Sequence, residues 1–154
     1  MTQEHDSLLV VELLIENEEG LCNLYQAYAK KFPKHEEFWS GLAVEESGHA
    51  DLLRELDGQI REGYLHIEPG RFRQAAIMSF IKYAQDELTR VQKEEILLIT
   101  ALSIALSAEQ TMIERRFFEI FDTDSAELKH ILHKIGMATE EHVKRVEEYW
   151  SKNR

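Results

Sequence analysis

The sequence predicts an all-α protein with four long helices, and three observations lead to that fold class. The chain has 154 residues but only seven glycines and two prolines, and the segment 71–135 contains neither. Apolar residues recur every three or four positions, which is the period of one helix face. The alternation of apolar and polar residues that is typical of half-buried strands is weak along the chain.

We expect five helices, and local signals place their ends. The first helix stops before Pro33, since proline lacks the N–H that a helix interior uses. A loop at 63–70 follows the second helix, and the fourth helix can be continuous with the third because no glycine or proline separates them. Asp124 and Glu127 have capping-box spacing at the start of the last helix. The expected helices cover about 7–31, 34–62, 71–90, 93–121 and 125–151.

The length of one connection predicts how these helices are arranged. The second and third of the four long helices are joined by about 30 residues, and this connection holds the shorter helix. In a single domain, that order predicts a four-helix bundle with a long crossover that contains an extra helix. We expect residues 1–154 to form one domain, because a chain of this length buries about two thirds of its unfolded surface in a single core.

Charge and cysteine content exclude several functions. The chain carries 29 acidic and 18 basic side chains, a formal charge of -11, which argues against binding to nucleic acid or to an anionic membrane. The longest apolar run, 96–108, would span roughly 20 Å as a helix, too short for a bilayer core of about 30 Å. A single cysteine, Cys22, excludes an intrachain disulfide and a four-cysteine metal site, and we expect a cytoplasmic protein.

In the first two helices, the apolar face is interrupted by a few polar residues. Glu18 is the only acid on the inward face of the first helix, and Glu46 and His49 interrupt that of the second. Glu45 lies beside the face of the second helix and is a weaker alternative to Glu46. The two faces are Val11, Leu14, Glu18, Leu21, Tyr25, Tyr28 and Phe32, and Trp39, Leu42, Glu46, His49, Leu53, Leu56 and Ile60.

The last two long helices show the same kind of interruption. Glu109 is the only acid on the apolar face of the fourth helix, and His142 lies on that of the last helix, three residues after Thr139. These faces are Leu98, Leu102, Ala105, Glu109, Met112 and Arg116, and Leu128, Leu132, Ile135, Thr139, His142, Val146 and Tyr149. His130 and His133 lie elsewhere on the last helix, and we expect both at the surface.

The spacing of the inward polar residues predicts that they meet. A buried carboxylate is costly unless it is paired or binds a metal. Glu18 and Glu46 are 28 positions apart, and Glu109 and Thr139 are 30 apart, so each half of the chain forms a similar helical hairpin. The hairpins would bring oxygen and imidazole ligands to one level, which suits iron, manganese or zinc. The expected ligands are Glu18, Glu46, His49, Glu109 and His142.

Other residues near these faces have simpler interpretations. Tyr25 and Tyr28 point inward, where they either pack in the core or serve as a hydrogen-bonding group or an electron relay. We expect Cys22 to pack rather than react. Glu141 and Arg145 have the spacing of a surface ion pair worth only a few tenths of a kcal/mol.

These residues resemble the ferritin-like superfamily, specifically the rubrerythrin-like di-iron carboxylate proteins. The pattern of helices resembles that of the family along nearly the whole chain. It implies that Glu18 and Glu109 are terminal ligands, that Glu46 bridges two metals, and that His49 and His142 each bind one metal. The matching pieces are Glu18 with Gly20 and Tyr25, Phe38, the segment 42–49, the segment 101–109 and the segment 140–142.

The chain departs from this family at the second bridging carboxylate, because Thr139 stands at that position. Met112 also stands where rubrerythrins often carry a further Glu, and one cysteine cannot build their rubredoxin domain. Three carboxylates leave two divalent metals with an excess charge of +1. We therefore expect unequal half-sites: Glu18, Glu46 and His49 form a full ligand set, while the other half depends on sharing Glu46.

Three functions stay open. One is a non-haem di-iron oxidoreductase that reduces peroxide or oxidises ferrous iron, with oxygen or peroxide as oxidant and an external electron donor. The second is a non-catalytic ferritin-like binding or structural protein that holds one metal or none. The third is a helical interaction module in which the inward polar residues form a buried hydrogen-bonded network. We also expect a homodimer or larger homo-oligomer, because the apolar crossover segment 72–81 has more apolar surface than one short helix hides.

Overall fold

The computed structural model describes residues 3–63, 66–67, 74–114, 121–122 and 126–154, and within them the chain is helical apart from two short strands and the turns between elements. This confirms the all-α prediction. The elements are α1 Gln3–Lys31, a 3₁₀ turn Pro33–His35, α2 Glu36–Arg61, β1 His66–Ile67, α3 Gln74–Lys93, α4 Leu98–Glu114, β2 Phe121–Asp122 and α5 Ala126–Asn153.

The first two helices end where turn residues force them to. α1 stops just before Pro33, which opens the 3₁₀ turn that leads into α2. α2 stops at Arg61, and Gly63 follows with a φ of 85°. Glycine adopts this left-handed conformation without a steric penalty, so it can end the helix while its N–H donates to the carbonyl of Ile60 at 3.0 Å.

The expected helix over 93–121 is wrong at its start and at Phe121, and the option that it continues the preceding helix is not realised. α3 and α4 are separate helices, because the chain leaves helical geometry between Lys93 and Leu98. One continuous helix over 74–114 would be about 60 Å long and would carry the apolar run 96–108 past the core; the break lets α4 return to it. Residues Phe121–Asp122 form β2, which pairs with β1 in antiparallel register. Asp124 of the expected capping box lies outside the described residues.

The helices pack as two neighbouring pairs. α1 packs against α2, and α4 packs against α5; α2 also contacts α5, and α3 lies along α1. The core between them contains fully buried side chains from four helices: Val11, Leu14, Leu21, Leu24, Tyr25, Tyr28, Trp39, Leu53, Leu56, Ala101, Leu102, Ala105, Ile135 and Val146. This arrangement places the polar interruptions of the four apolar faces inside one core.

Much of the apolar surface of α3 is buried against the rest of the chain. Ile77, Phe80 and Ile81 are buried within the chain, and Met78 is 57% exposed. Phe72 lies outside the described residues. The expected homo-oligomer, which was based on this segment, therefore stays a prediction with less apolar surface to support it.

Among the described residues, none of the helices combines the length and the apolar character that crossing a bilayer requires.

Core packing predicts a large difference between two positions on α2. Leu53 is fully buried, whereas Val44 is 70% exposed. Leu53→Ala should lower the free energy of unfolding by about 2–5 kcal/mol, since it removes apolar contacts and leaves a cavity. Val44→Ala should change it by less than about 0.5 kcal/mol. Urea titration of both variants checks this, and equal losses would contradict the described orientation of α2.

Candidate metal centre

Five buried side chains meet where the two helix pairs face each other. Glu18 comes from α1, Glu46 and His49 from α2, Glu109 from α4 and His142 from α5, and each is at most 7% exposed. They form two groups of three that could hold a metal ion, with ligand atoms within 4.8 Å of one another in each group. The groups are Glu18, Glu46 and His49, and Glu46, Glu109 and His142.

Glu46 belongs to both groups because its two oxygens face different histidines. Its Oε1 lies 3.0 Å from Nδ1 of His142, and its Oε2 lies 3.4 Å from Nδ1 of His49. Glu18 Oε2 is 3.8 Å from the same nitrogen of His49, and Glu109 Oε1 is 3.3 Å from that of His142. Each group thus has its own carboxylate, its own histidine and one oxygen of Glu46, so the two halves have equal numbers of protein ligands.

Helix periodicity explains why these side chains and not their neighbours point inward. Glu46 and His49 are three residues apart on α2, which puts both on one face between the buried Leu42 and Leu53. On α1, Glu18 is fully buried while the adjacent Glu19 is exposed. The sequence spacing of apolar residues therefore fixes which carboxylates enter the core.

Many polar atoms of the centre have no hydrogen-bond partner within the described part of the chain. These are both oxygens of Glu18, one oxygen each of Glu46 and Glu109, Nδ1 of His49 and Nε2 of His142. Burying such an atom without a partner costs about 1–3 kcal/mol, and more for a charged group. A cation between them would satisfy these atoms together, so the donor set of carboxylate oxygen and imidazole nitrogen fits a divalent metal.

The electrostatics of the centre favour protons when no metal is bound. Burial raises the pKa of Glu18 well above its usual value, and the nearby charge of Glu46 raises it further. Burial alone would lower the pKa of His49, but the carboxylates of Glu18 and Glu46, which lie 3.8 and 3.4 Å from its Nδ1, outweigh burial and raise that pKa to about 10. Glu109 and Glu46 outweigh burial in the same way at His142, whose pKa also rises to about 10. Metal ligands must release such protons, so metal binding here is coupled to pH.

Tyr25 connects α1 to the centre through a hydrogen bond. Its hydroxyl donates to Oε1 of Glu109 at 2.8 Å, and both residues are fully buried. Burial, followed by the charge of Glu109, raises the pKa of Tyr25 well above its usual value, so the phenol keeps its proton. Of the two sequence interpretations for Tyr25, the hydrogen-bonding one is present, with a partner in the opposite helix pair.

The surroundings of His142 Nε2 were not predicted from the sequence. This nitrogen lies 3.6 Å from Oε2 of Glu45, which forms an ion pair with Arg145. The expected surface pair between Glu141 and Arg145 is therefore wrong, because Arg145 reaches across to α2 instead of along α5. A carboxylate beside the second nitrogen of a metal-binding histidine commonly fixes the ring orientation. In the sequence, the position of Glu45 beside the apolar face of α2 is the feature that indicates its closeness to the centre.

Asn17 is a second polar residue near the centre whose position was not predicted from the sequence. Its side chain is buried, and Nδ2 donates to Sδ of Met112 at 3.3 Å, which joins α1 to α4 one turn from Glu109. The burial of Asn17 could have been predicted from a second row on α1, which is apolar except at this position. The row is Val10, Leu14, Asn17, Leu21, Leu24 and Tyr28.

The remaining expectations concern α5 and Cys22. Thr139 is buried, and its hydroxyl donates to the carbonyl of Ile135 at 3.0 Å, so this group is engaged within its own helix. His130 and His133 are exposed, as expected. Cys22 is half-buried and packs against the core, also as expected.

Comparisons of the chain with protein-family models, curated proteins and solved structures found no match.

The proton-binding state of the centre predicts a pH dependence for the metal-free chain. Because the pKa values of His49 and His142 rise from 6.5 to about 10 on folding, their contribution to stability is complete below pH 6.5. It should be lost as the pH rises from 6.5 towards 10. Urea titrations across this range, with metal removed by a chelator, should show a falling free energy of unfolding.

The matched variants are His49→Gln and His130→Gln. The first should flatten the pH dependence, because it removes one of the two protonated rings, and the exposed His130 should leave it unchanged. An equally steep decrease in His49→Gln would contradict the described electrostatics.

Proposed function

We propose that this chain is a metal-binding, ferritin-like four-helix bundle of the rubrerythrin-like kind, in which α1, α2, α4 and α5 form the bundle and α3 lies in the long crossover. We further propose that it is a non-haem di-iron oxidoreductase. The observation that carries this proposal is the pair of buried Glu/His groups that share Glu46. Two such groups are what a two-metal site with one bridging carboxylate requires.

The proposed roles follow from the position of each side chain. Glu18 and His49 would hold one ion, Glu109 and His142 would hold the other, and Glu46 would offer one oxygen to each. Iron held there would supply one-electron redox chemistry towards peroxide or oxygen. The chain's own contribution is to fix these ligands and to exclude water, since the surrounding faces are apolar and buried.

Residues beyond the ligands would hold them in place. Glu45, paired with Arg145, lies near Nε2 of His142 and leaves Nδ1 to face the carboxylates. Tyr25 donates to Glu109 and so limits the rotation of that carboxylate. Supporting contacts of this kind raise metal affinity, commonly about 10–100-fold.

A second candidate function is a ferritin-like binding or structural protein in which the centre works without metal. The protonated rings of His49 and His142 and a protonated Glu18 would balance the charges of Glu46 and Glu109. The raised pKa values of these three groups favour this alternative in the metal-free state. Metal binding and turnover with peroxide distinguish the two functions.

The proposal includes partners. Turnover would need peroxide or oxygen as oxidant and an external one-electron donor, because one cysteine cannot supply a four-cysteine redox site in this chain. We propose that the chain acts as a homodimer or larger homo-oligomer, with the exposed Met78 of α3 at the contact.

Anaerobic titration with ferrous iron, and separately with manganese, tests the proposed ligands. His49→Ala should lower metal affinity at least about 100-fold, because the loss of even a supporting residue costs about 10–100-fold. His130→Ala, on the exposed side of α5, should bind as the unmodified chain does. Equal losses in the two variants, or no metal in the unmodified chain, would reject the proposed metal centre.

Thr139→Glu tests the charge balance of the centre. With three carboxylates, two divalent ions leave a charge of +1, and a fourth carboxylate at this buried position would neutralise it. The variant should bind the second ion more tightly and approach two ions per chain at lower metal concentration. Thr139→Val, which keeps the size and removes the hydroxyl, is the control. No gain over this control would show that charge does not limit the second ion.

A further inference from the structure

Aromatic side chains lead from the buried centre towards the surface near the Pro33–His35 turn. We propose that Tyr25, Trp39 and Tyr149 pass single electrons along this route, so that a donor at the surface can reduce the centre. We call these three residues the aromatic path. Its inner end rests on the proposed function, whereas the transfer between its rings does not.

The rings of the path are close enough for short transfer steps. Tyr25 donates a hydrogen bond to Glu109 at 2.8 Å, and its ring centroid lies 5.8 Å from that of Trp39. Phe38 bridges the next step, with its centroid 5.2 Å from that of Trp39 and 3.9 Å from that of Tyr149. The last two rings are stacked with an interplanar angle of 15°.

Each tyrosine of the path has a proton acceptor in contact with its hydroxyl. A phenol that loses an electron becomes a strong acid, so rapid oxidation of tyrosine needs a base at hydrogen-bond distance. The hydroxyl of Tyr25 faces the carboxylate of Glu109, and that of Tyr149 lies 2.5 Å from Nδ1 of His35. A neutral imidazole offers one acceptor nitrogen, so His35 can take the proton of Tyr149.

Trp39 suits the middle of the path for a different reason. An oxidised indole is a much weaker acid than an oxidised phenol and can pass an electron while it keeps its proton. Its Nε1 is buried with no hydrogen-bond partner within the described part of the chain, which favours retention of that proton.

Tyr28 shows that distance alone does not define the path. Its ring centroid is the nearest aromatic one to Trp39 among the described pairs, at 4.8 Å. Its hydroxyl is buried, and the described residues provide no hydrogen-bond partner for it. Oxidised Tyr28 would have no base to receive its proton, so it should not serve as a relay.

Electrons and protons are conserved when one electron passes along the path. Tyr25 would give one electron to the oxidised centre while its proton moves to Glu109; Tyr25 would then take an electron from Trp39 and recover that proton. Trp39 is restored by an electron from Tyr149, whose proton moves to His35. A one-electron reductant at the surface reduces Tyr149, and the proton returns from His35. The net change is one electron from the reductant to the centre.

A flash experiment on the metal-free chain tests the path independently of metal binding. Trp150→Phe leaves Trp39 as the only tryptophan, and this background is used throughout. A light flash at the red edge of the tryptophan absorption ejects one electron from Trp39, and dissolved oxygen captures it. Transient absorption then follows the decay of the tryptophanyl radical and the growth of a tyrosyl radical.

The path makes opposite predictions for closely matched variants. Replacing both Tyr25 and Tyr149 by Phe should lengthen the lifetime of the tryptophanyl radical at least about tenfold, which corresponds to about 1.36 kcal/mol in activation free energy. Tyr28→Phe, which removes the same hydroxyl from the nearest ring, should leave the lifetime unchanged. In the Tyr25→Phe background, His35→Gln should also slow the decay, since an amide is not a base. Circular dichroism confirms that each variant is folded.

Two results would overturn the proposal. One is a lifetime in Tyr28→Phe that is as long as that in the double variant, because ring distance would then decide the route. The other is the absence of a tyrosyl signal in the Trp150→Phe background. Neither result depends on iron, so a failure of the anaerobic titration would reject the metal centre while the flash result still decides the path.

In iron-loaded protein, the outer end can be tested with ascorbate as the donor. Tyr149→Phe should bind iron as tightly as the unmodified chain, since Tyr149 is not a ligand, but re-reduction of the oxidised centre should be slower. Unchanged re-reduction in Tyr149→Phe would contradict the proposed entry point.

Discussion

The fully buried carboxylate of Glu46 is the constraint on which the centre depends. It lies on α2 and faces His49 of its own helix and His142 of α5. A carboxylate at this depth is stable only if other groups compensate its charge, and both histidines or a bound cation can do so. The packing of α2 against α5 is therefore tied to the contacts of this group, and the remaining polar residues are arranged around its two oxygens.

The other helices complete that arrangement with contacts between the two pairs. Tyr25 and Asn17 of α1 reach Glu109 and Met112 of α4, one helical turn apart. These contacts fix the rotation of α1 and α4 about their axes, which decides whether Glu18 and Glu109 point at the centre. The same rotation brings Tyr25 next to Trp39, so the hydrogen-bonded core and the aromatic path come from a single packing of α1.

Much of this could be predicted from the sequence because periodicity within a helix is local information. The burial of Glu18, Glu46 and His49 follows from the spacing of their apolar neighbours, and the structure places them together. The contact of Arg145 with Glu45 could not be predicted, because it depends on how α5 crosses α2. The break after Lys93 could not be predicted for a related reason. No glycine or proline lies near it, and the chain turns there only because α4 has to pack in the core.

The centre also joins parts of the chain that are far apart in sequence. His142 is 96 residues from Glu46, and Tyr25 is 84 residues from Glu109, whereas α1 and α2 are neighbours joined by a short turn. Contacts across long separations carry a larger entropic cost of loop closure, so the local hairpins can form before the centre closes. Interactions that form after the folding transition state mainly slow unfolding. Ligands bound between the two pairs would therefore act on the lifetime of the folded chain more than on the speed at which it folds.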